Sequence, residues 1–491
     1  MLAGSLGLGI AGLIGLPGVA AAAGPETAAE FDRVWTANSH TVTDNESGVI
    51  AWGTSYELLA LTRMYQATDD EKYLDWFVSL ADDVLAATDA KRGVKDALGR
   101  SGPVWRTGGK YTAAKFVIKD VNGDELVALR YAGGSALEAT VTFTTHTDAS
   151  FDLTLTCGTG TKKYEFVQTE RSHAKYVVDV INDAFAPNWE WTAVDLRDPD
   201  FPGRVPHGTA AVQEQFHAFT VHTGMVTYPL AQFARIVTDA GLTRLAPKAE
   251  AYAAAAREAV AFHAPEVQFY EDHPDSADYA HPVGAALRHD GLIQPYNQSH
   301  ALGATQVELY RLDGDQAYAR IVKALVASFL RGADLVDNAY VWSYWPPSSQ
   351  AYAGYQGGTE STYTPRWNAA PGIEDISHAA ITVEFLVAAS RAGIGLTATQ
   401  LANLKRTFSQ NMVTGGDTVA YRVDGSDPRN TVSLVGQLPR WLPLAAWLPD
   451  APAQALSTWN AAGVSGETGS YVAGRGYLVW AHNAGWEGDN R

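Results

Sequence analysis

The spacing of hydrophobic residues predicts paired helices from about residue 48 onward. In SYELLALTRMYQATDDEKYLDWFVSLADDVLA, apolar residues recur every three or four positions on both sides of a polar break at residues 68–71. A second segment, HALGATQVELYRLDGDQAYARIVKALVASFL, has the same organisation, with a Tyr, an Asp and a second Tyr at equal offsets around its break. Similar segments so far apart in the chain indicate a repeat architecture.

Further helical hairpins are predicted at residues 222–263, 378–412 and 432–462. A final helix near residues 471–481 is expected to pair with residues 27–38 and to close a ring of about six hairpins. The predicted fold is therefore mainly α, an (α/α) toroid.

Between residues 104 and 182 the hydrophobic period changes from 3.6 to 2, which is typical of strands. The segment KFVIKDVNGDELVALRYA places Asn122-Gly123 between two alternating runs, a strong signal for a β-hairpin with a type I′ turn. Four more alternating runs follow. We predict an inserted antiparallel β-sandwich at residues 104–187, which divides the toroid into residues 25–103 and 188–491.

Two long connections, residues 183–215 and 338–373, are rich in polar aromatic residues. Connections of this length are usually functional or disordered, and their aromatic content argues against disorder. We expect both to line a cleft, because Trp and Tyr combine a flat apolar face with a polar tip that suits sugar rings. The candidate substrate-binding residues here and at helix starts are Trp52, Tyr56, Trp189, Tyr296, Trp342, Trp345, Trp367, Arg440, Trp441 and Arg475.

Composition narrows the classes of partner and compartment. The net charge of −18, without any basic run, argues against nucleic acid and anionic membranes. Cys157 is the only cysteine, which excludes an intramolecular disulfide and a cysteine zinc site. Residues 1–24 are apolar and end in small residues, as in an export signal, although no basic residue precedes them. A twin-arginine signal with a truncated start fits this pattern, so we expect a secreted protein that has no membrane contact after signal removal.

Three histidines stand at the starts of predicted helices and are evenly spaced. His222, His300 and His378 are separated by 300 − 222 = 78 and 378 − 300 = 78 residues. Equivalent helix starts in a toroid lie along one rim, so we place the chemistry there. Taken singly, each histidine is more often a buried imidazole bonded to a neighbouring helix. A metal site made of the three is disfavoured because successive helix starts diverge around a ring, and we expect no metal and no cofactor.

Other ionisable and amide groups share these helix starts. Helix N-termini carry partial positive charge and free N–H groups, so they favour anions. The candidates are Glu57, Asn297, Glu374 and Asp375. For Asp375, helix capping and catalysis are equally good interpretations, since Asp is among the best N-cap residues.

The hairpin repeat, the aromatic loops and the helix starts YNQSH and GIEDISH resemble the α/α-toroid carbohydrate-active enzymes. The similarity is to polysaccharide lyases and glucuronyl C5-epimerases in particular. It implies neutralisation of a uronate carboxylate by Asn, His or Arg, removal of the C5 proton by Tyr or His, and protonation of the leaving oxygen by Tyr. By this resemblance, Asn297 and His300 would neutralise, with Arg440 as a further member. His222 or His378 would be the base, and Tyr344 or Tyr296 the acid.

The sequence thus predicts a secreted carbohydrate-active enzyme, a lyase that cleaves a uronic-acid-containing poly- or oligosaccharide by β-elimination. The alternative is an inverting glycoside hydrolase that pairs Glu374 or Asp375 with Glu57 or Glu360, across the roughly 6.5–9.5 Å that admits a water molecule. A third interpretation is glycan binding without catalysis. The convergence of ionisable groups weighs against that third interpretation.

Overall fold

The computed structural model describes residues 24–133, 138–157, 160–186, 190–197, 205–356 and 359–483. The export signal predicted for residues 1–24 lies, except for Gly24, outside the described residues, and so does Trp189. Among the described residues, no helix combines the length and the apolar character needed to cross a bilayer.

The predicted fold class is wrong. The structure is 48% helix and 19% strand, and the strands form several small antiparallel sheets along the chain, so a mainly α toroid with an inserted β-sandwich does not describe it. The physical reason is that connections between helices, which have no regular hydrophobic period, pair into short two-stranded sheets. The hairpin predicted at residues 432–462 also departs from α-helix, because Leu438–Trp447 is a 3-10 helix.

The α-helices are α1 Ala28–Ala37, α2 Ser55–Thr68, α3 Lys72–Ala86, α4 Asp89–Arg92, α5 Val177–Ala184, α6 Thr220–Asp239, α7 Ala246–Phe262, α8 Tyr296–Asp313, α9 Gln316–Gly332, α10 Gln350–Ala353, α11 Ile376–Arg391, α12 Ala398–Arg406, α13 Val432–Val435, α14 Ala451–Ala461 and α15 Ser470–Asn483. Short 3-10 helices lie at Gly109–Tyr111, Thr243–Leu245 and Ala264–Glu266, and π-helical turns lie at Ile50–Thr54 and Thr407–Met412.

The strands are β1 Ala113–Asp120, β2 Glu125–Tyr131, β3 Thr140–Thr145, β4 Phe151–Cys157, β5 Gly160–Val167, β6 Trp191–Asp195, β7 Pro206–His207, β8 Val212–Gln215, β9 Val267–Tyr270, β10 His273–Tyr279, β11 Asp334–Val336, β12 Ala339–Val341, β13 Tyr355–Gln356, β14 Arg366–Trp367, β15 Val419–Ala420 and β16 Pro428–Arg429.

Six helical segments contact one another in series. Helix α2 packs on α6, α6 on α8, α8 on α11, α11 on the 3-10 helix Leu438–Trp447, that helix on α15, and α15 on α2. Helices α6 and α8 approach so closely that a side chain at Gly224 would lie 2.3 Å from the backbone of Ala301. Their parallel course follows from a second contact one turn further on, where the Thr227 and Thr305 hydroxyls are 2.8 Å apart.

The sheets between residues 113 and 215 differ from the predicted β-sandwich. The β1–β2 hairpin forms at the predicted place, but its turn is not type I′, because Gly123 has a positive φ of 86° and Asn122 does not. However, the sheet order is β6-β2-β1-β7, with β8 also paired to β1, so strands from the aromatic connection complete this sheet. Strands β3, β4 and β5 form a separate sheet. The alternating pattern missed β6, β7 and β8 because each is too short to establish a period.

The β2 strand supports the loops that flank the candidate site. Buried Arg130 donates from Nη1 to the Leu287 carbonyl oxygen at 2.7 Å and to the Thr364 hydroxyl at 3.2 Å. Arg288, which follows Leu287 in the loop, donates to the carbonyl oxygen of Ala132, the residue after β2, at 2.9 Å. These bonds join two loops that are far apart in sequence to a single strand.

Candidate active site at the start of helix α11

The first turn of α11 contains an Asp–His pair that is also a helix cap. Asp375 is the N-cap residue, and its Oδ1 accepts from the backbone N–H groups of Ser377 at 2.9 Å and His378 at 3.2 Å. Its Oδ2 lies 2.5 Å from Nδ1 of His378. The two interpretations of Asp375, capping and chemistry, therefore apply to different oxygen atoms of one carboxylate.

This pair fixes the state of the His378 ring. An ionised carboxylate only accepts hydrogen bonds, so Nδ1 of His378 carries the proton and Nε2 has the free lone pair. Burial alone raises the pKa of Asp375, but hydrogen bonds from His378 and Ser377 outweigh it and hold the pKa well below its usual value. The His378 side chain is 39% exposed, so Nε2 belongs to a group that a ligand can reach.

Glu374 lies behind this pair and is fully buried. Its Oε1 is 3.9 Å from Nδ1 of His378, and neither of its carboxyl oxygens has a hydrogen-bond partner. Burial, and then the charge of Asp375, raise the pKa of Glu374 well above its usual value, which favours the neutral acid. A substrate therefore meets His378 first, and Glu374 influences the site from below.

The raised pKa of Glu374 predicts a pH-dependent stability. A folded-state pKa above the unfolded value means that its contribution favours folding below about pH 4.5 and is lost as pH rises towards the folded pKa. Glu374→Gln removes this loss. The melting temperature of the variant should therefore rise relative to wild type as pH increases above about 4.5, by the equivalent of about 1.4 kcal/mol for each pH unit until the folded pKa is reached. Scanning calorimetry across this range measures the difference, and a constant difference would contradict a buried neutral Glu374.

Tyr344 approaches His378 from the connection between α9 and α11. The two rings are 5.3 Å apart and inclined by 53°. The Tyr344 backbone is held on both sides, because its N–H donates to the Gly372 carbonyl at 2.8 Å and its carbonyl accepts from the Tyr296 N–H at 3.2 Å. Burial raises the pKa of Tyr344, while a hydrogen bond with the Gln298 side chain opposes the shift. Tyr344 is thus a protonated phenol next to an imidazole.

A continuous series of rings leads away from His378. Tyr344 lies 5.5 Å from Trp345, Trp345 lies 5.0 Å from His289, and His289 lies 4.8 Å from Trp367, measured between ring centroids. We call Tyr344, Trp345, His289 and Trp367 the aromatic band. Its loops are joined by Asp290, which accepts from the backbone N–H groups of Thr362 at 2.9 Å and Tyr363 at 3.2 Å.

The other two helix-start histidines lie inside the packed core. His222 contacts the Asn45 side-chain amide through Nδ1 at 3.1 Å and accepts from the Trp52 indole N–H at 2.9 Å, and burial lowers its pKa to about 3. His300 stacks between Tyr296 and Phe385, and burial lowers its pKa to about 3. Neither ring has an exposed face, so the site described here does not use them.

The remaining sequence candidates hold the surrounding structure. Glu57 is bonded to His40 at 3.1 Å, and no described contact joins it to Glu374 or Asp375. Arg440 donates to the Ser377 carbonyl at 3.1 Å and lies over the Tyr56 ring, and Trp441 donates to the Ile376 carbonyl at 3.1 Å. These bonds hold the first turn of α11. The other sequence candidates in this region have buried side chains: Tyr296, Asn297, Trp342 and Arg475.

Four polar atoms of these residues and of Gln298 are buried without partners: Oδ1 of Asn297, Oε1 of Gln298, Nε1 of Trp342 and Nε of Arg475. The Tyr296 hydroxyl donates to the Ser328 carbonyl at 3.2 Å, and Nη1 of Arg475 donates to the Gly466 carbonyl. Asn297 and Trp342 thus remain candidates near the site, whereas Tyr296 and Arg475 have structural partners.

Neither His289 nor Gln298 was predicted from the sequence as a site residue. Gln298 lies beside Tyr344, and His289 lies beside Trp345. Gln298 was one of several polar residues at the same helix start, and His289 lies in a loop without hydrophobic periodicity, so neither was distinguished by the sequence. The signal available for His289 was the run RHD within a loop bounded by Gly284 and Gly291. Titratable residues concentrated in an aromatic-lined loop are candidates for function.

Glu374, Asp375 and His378 are close enough to share a metal ion, with ligand atoms within 4.8 Å of one another. Two features oppose that use. Both oxygens of Asp375 are already engaged, and the positive end of the α11 dipole disfavours a cation. The arrangement is better suited to proton transfer next to an anionic ligand.

No protein family model matches this sequence, and no curated protein or solved structure is similar enough to match it. The resemblance to toroid lyases and epimerases accordingly stays a prediction. The chemistry of the site is the basis for assigning a function.

Proposed function

We propose that this protein is a carbohydrate-active enzyme that cleaves a uronic-acid-containing glycan by β-elimination, with His378 as the base and Tyr344 as the acid. The observation that carries the proposal is the Asp375–His378 pair, partly exposed and 5.3 Å from the Tyr344 ring. A base and an acid side by side are what this reaction needs.

His378 is suited to remove the C5 proton of a uronate. Nδ1–H of His378 is bonded to Asp375, so Nε2 accepts the proton and the carboxylate stabilises the imidazolium that forms. The electrons of the C5–H bond form the C4=C5 double bond as the C4–O bond breaks. Asp375 does not touch the substrate, and it acts by fixing the ring and its charge.

Tyr344 is suited to protonate the leaving oxygen. Its raised pKa keeps the hydroxyl protonated at neutral pH, so a proton is available when the glycosidic oxygen departs. The proton gained by His378 then returns to Tyr344 through solvent, which closes the cycle without a co-reactant.

Negative charge develops on the substrate carboxylate as the C5 proton leaves, and the site favours that charge. The N-terminal ends of α8 and α11 present partial positive charge, and the Gln298 amide lies beside Tyr344. Glu374 is held as a neutral acid, so it adds no repulsion beneath the substrate. The aromatic band supplies flat faces on which sugar rings stack.

Inverting hydrolysis is the second candidate, and it rests on Glu374. A buried carboxyl group with a raised pKa is the usual general acid of a glycosidase. The hydrolase also needs a carboxylate base. Asp375 is engaged by the helix and His378, and Glu57 is bonded to His40, so neither is well placed for that task.

The product distinguishes these functions. Purified protein should be incubated with oligogalacturonate, alginate, hyaluronan and heparosan, with amylose and cellulose as neutral substrates. The lyase predicts absorbance near 235 nm on at least one acidic glycan and none on neutral ones. New reducing ends without that absorbance would favour the hydrolase. Glycan binding with neither signal would show a binding protein and refute both.

A further inference from the structure

The far end of the aromatic band has unpartnered polar atoms next to positive charge. The indole N–H of Trp367 and Nδ1 of His289 are both buried and have no hydrogen-bond partner. An indole N–H is only a donor, and burying it unpaired is unfavourable. We assign the proton of the neutral His289 ring to Nδ1, so that a ligand acceptor reaching both atoms would remove this cost.

The surroundings of His289 favour an anion as that acceptor. Burial lowers the pKa of His289 well below its usual value, and the guanidinium groups of Arg288 and Arg130 shift it in the same direction. The nearby carboxylate of Asp290 accepts hydrogen bonds from Ser361, Thr362, Tyr363 and Gly284, which hold it within its own loop. A neutral donor ring within a positive environment suits a carboxylate or sulfate oxygen.

The position of these atoms relates them to the reaction. Two ring contacts, His289 to Trp345 and Trp345 to Tyr344, separate them from the proposed acid, with centroid distances of 5.0 and 5.5 Å. This spacing is comparable to the length of one or two sugar units. His289 and Trp367 are partly exposed as whole residues, so part of each ring lies at the surface beside the buried atoms.

We propose that His289 and Trp367 form a subsite for the acidic group of a sugar unit neighbouring the one that is cleaved, which rests on the proposed function. The subsite selects substrates that carry negative charge on consecutive or alternate sugars. Arg288 and Arg130 contribute their field, and they also fix the loop through the Ala132, Leu287 and Thr364 contacts.

The test measures charge selectivity in binding, separately from turnover. In a His378→Ala background, calorimetry should compare tetragalacturonate, tetramannuronate and a hyaluronan tetrasaccharide with cellotetraose and maltotetraose. We expect at least one acidic tetrasaccharide to bind about tenfold or more tightly than both neutral ones. His289→Phe keeps a ring between the two tryptophans and removes Nδ1, so it should lose most of that selectivity while neutral binding changes little.

His273→Phe, at an exposed position of β10, is the matched control and should leave the selectivity unchanged. Equal binding of acidic and neutral tetrasaccharides, or full selectivity in His289→Phe, would overturn the subsite. Cleavage by the wild-type protein together with unchanged selectivity in His289→Phe would reject the subsite and keep the lyase. Selectivity that depends on His289 without any cleavage would reject the lyase and keep the subsite.

Discussion

Replacement of His378 by alanine should lower kcat on an acidic glycan by about 10²- to 10⁴-fold, the usual contribution of a positioned general base. The loss should not come from unfolding. The side chain is 39% exposed, and the cap of α11 depends on the backbone N–H of residue 378 rather than on its ring. Initial rates at 235 nm, together with the melting temperature, separate the two effects.

Variants of Asp375 separate the helix-capping role of its Oδ1 from the contact of its Oδ2 with His378. Asn is as good an N-cap as Asp, so Asp375→Asn should keep the stability of α11 but lower kcat, because the amide does not fix the Nδ1–H tautomer or stabilise the imidazolium. Asp375→Ala should lower kcat as well and also cost about 1 kcal/mol of stability through loss of the cap.

The chain offers a matched control for the His378 variant. His146 and Asp152 form a similar pair at 2.9 Å in the sheet of β3, β4 and β5, with His146 31% exposed. His146→Ala should keep wild-type kcat. Full turnover by His378→Ala, or an equal loss in His146→Ala, would show that the base lies elsewhere.

The sequence predicted the local features of this site better than their spatial relations. Asp375 as an N-cap and the position of the β1–β2 hairpin follow from short-range rules, because a carboxylate before a helical run satisfies free N–H groups and Gly123 accepts the positive φ of the turn. Both features need only a few consecutive residues.

The equal spacing of the three histidines was a weaker guide. It places them near equivalent helix starts, but it does not determine which face of a helix each ring occupies. His300 points into the contact between α8 and α11, where its Nδ1 is 3.1 Å from the Thr382 hydroxyl, whereas His378 points towards solvent. The aromatic band was not predictable either, because its members come from three loop segments that only tertiary contacts bring together.

Glu384 should have the largest effect on stability, because three groups depend on its carboxylate. Oε1 accepts from Arg63 Nη2 at 2.5 Å and from the Tyr228 hydroxyl at 2.5 Å, and Oε2 accepts from the Tyr477 hydroxyl at 2.6 Å. These residues belong to α2, α6, α11 and α15, and all four are buried. Burial, and then the charge of Glu384, raise the pKa of Tyr228, which keeps its hydroxyl as a donor.

Glu384→Ala should therefore destabilise the protein by about 3–5 kcal/mol, since it leaves a buried guanidinium without its counterion. Glu384→Gln keeps an acceptor and the volume, so its loss should be smaller. The double variant Arg63→Met, Glu384→Leu removes both charges and should be less destabilised than the sum of Arg63→Met and Glu384→Leu. Urea unfolding measures all of these free energies.

The exposed pair of Arg244 and Glu71, at 2.8 Å, is the control for an ion pair in solvent. Glu71→Ala should leave the unfolding midpoint close to that of wild type, because water screens both charges. A Glu384→Ala midpoint equally close to wild type would mean that water reaches the Arg63 guanidinium. It would also mean that apolar contacts alone hold α2, α6, α11 and α15 together. A large loss of unfolding free energy would instead show that the four helices depend on the Glu384 carboxylate for their mutual positions. Helix α11 would then be fixed both at its first turn and at its middle.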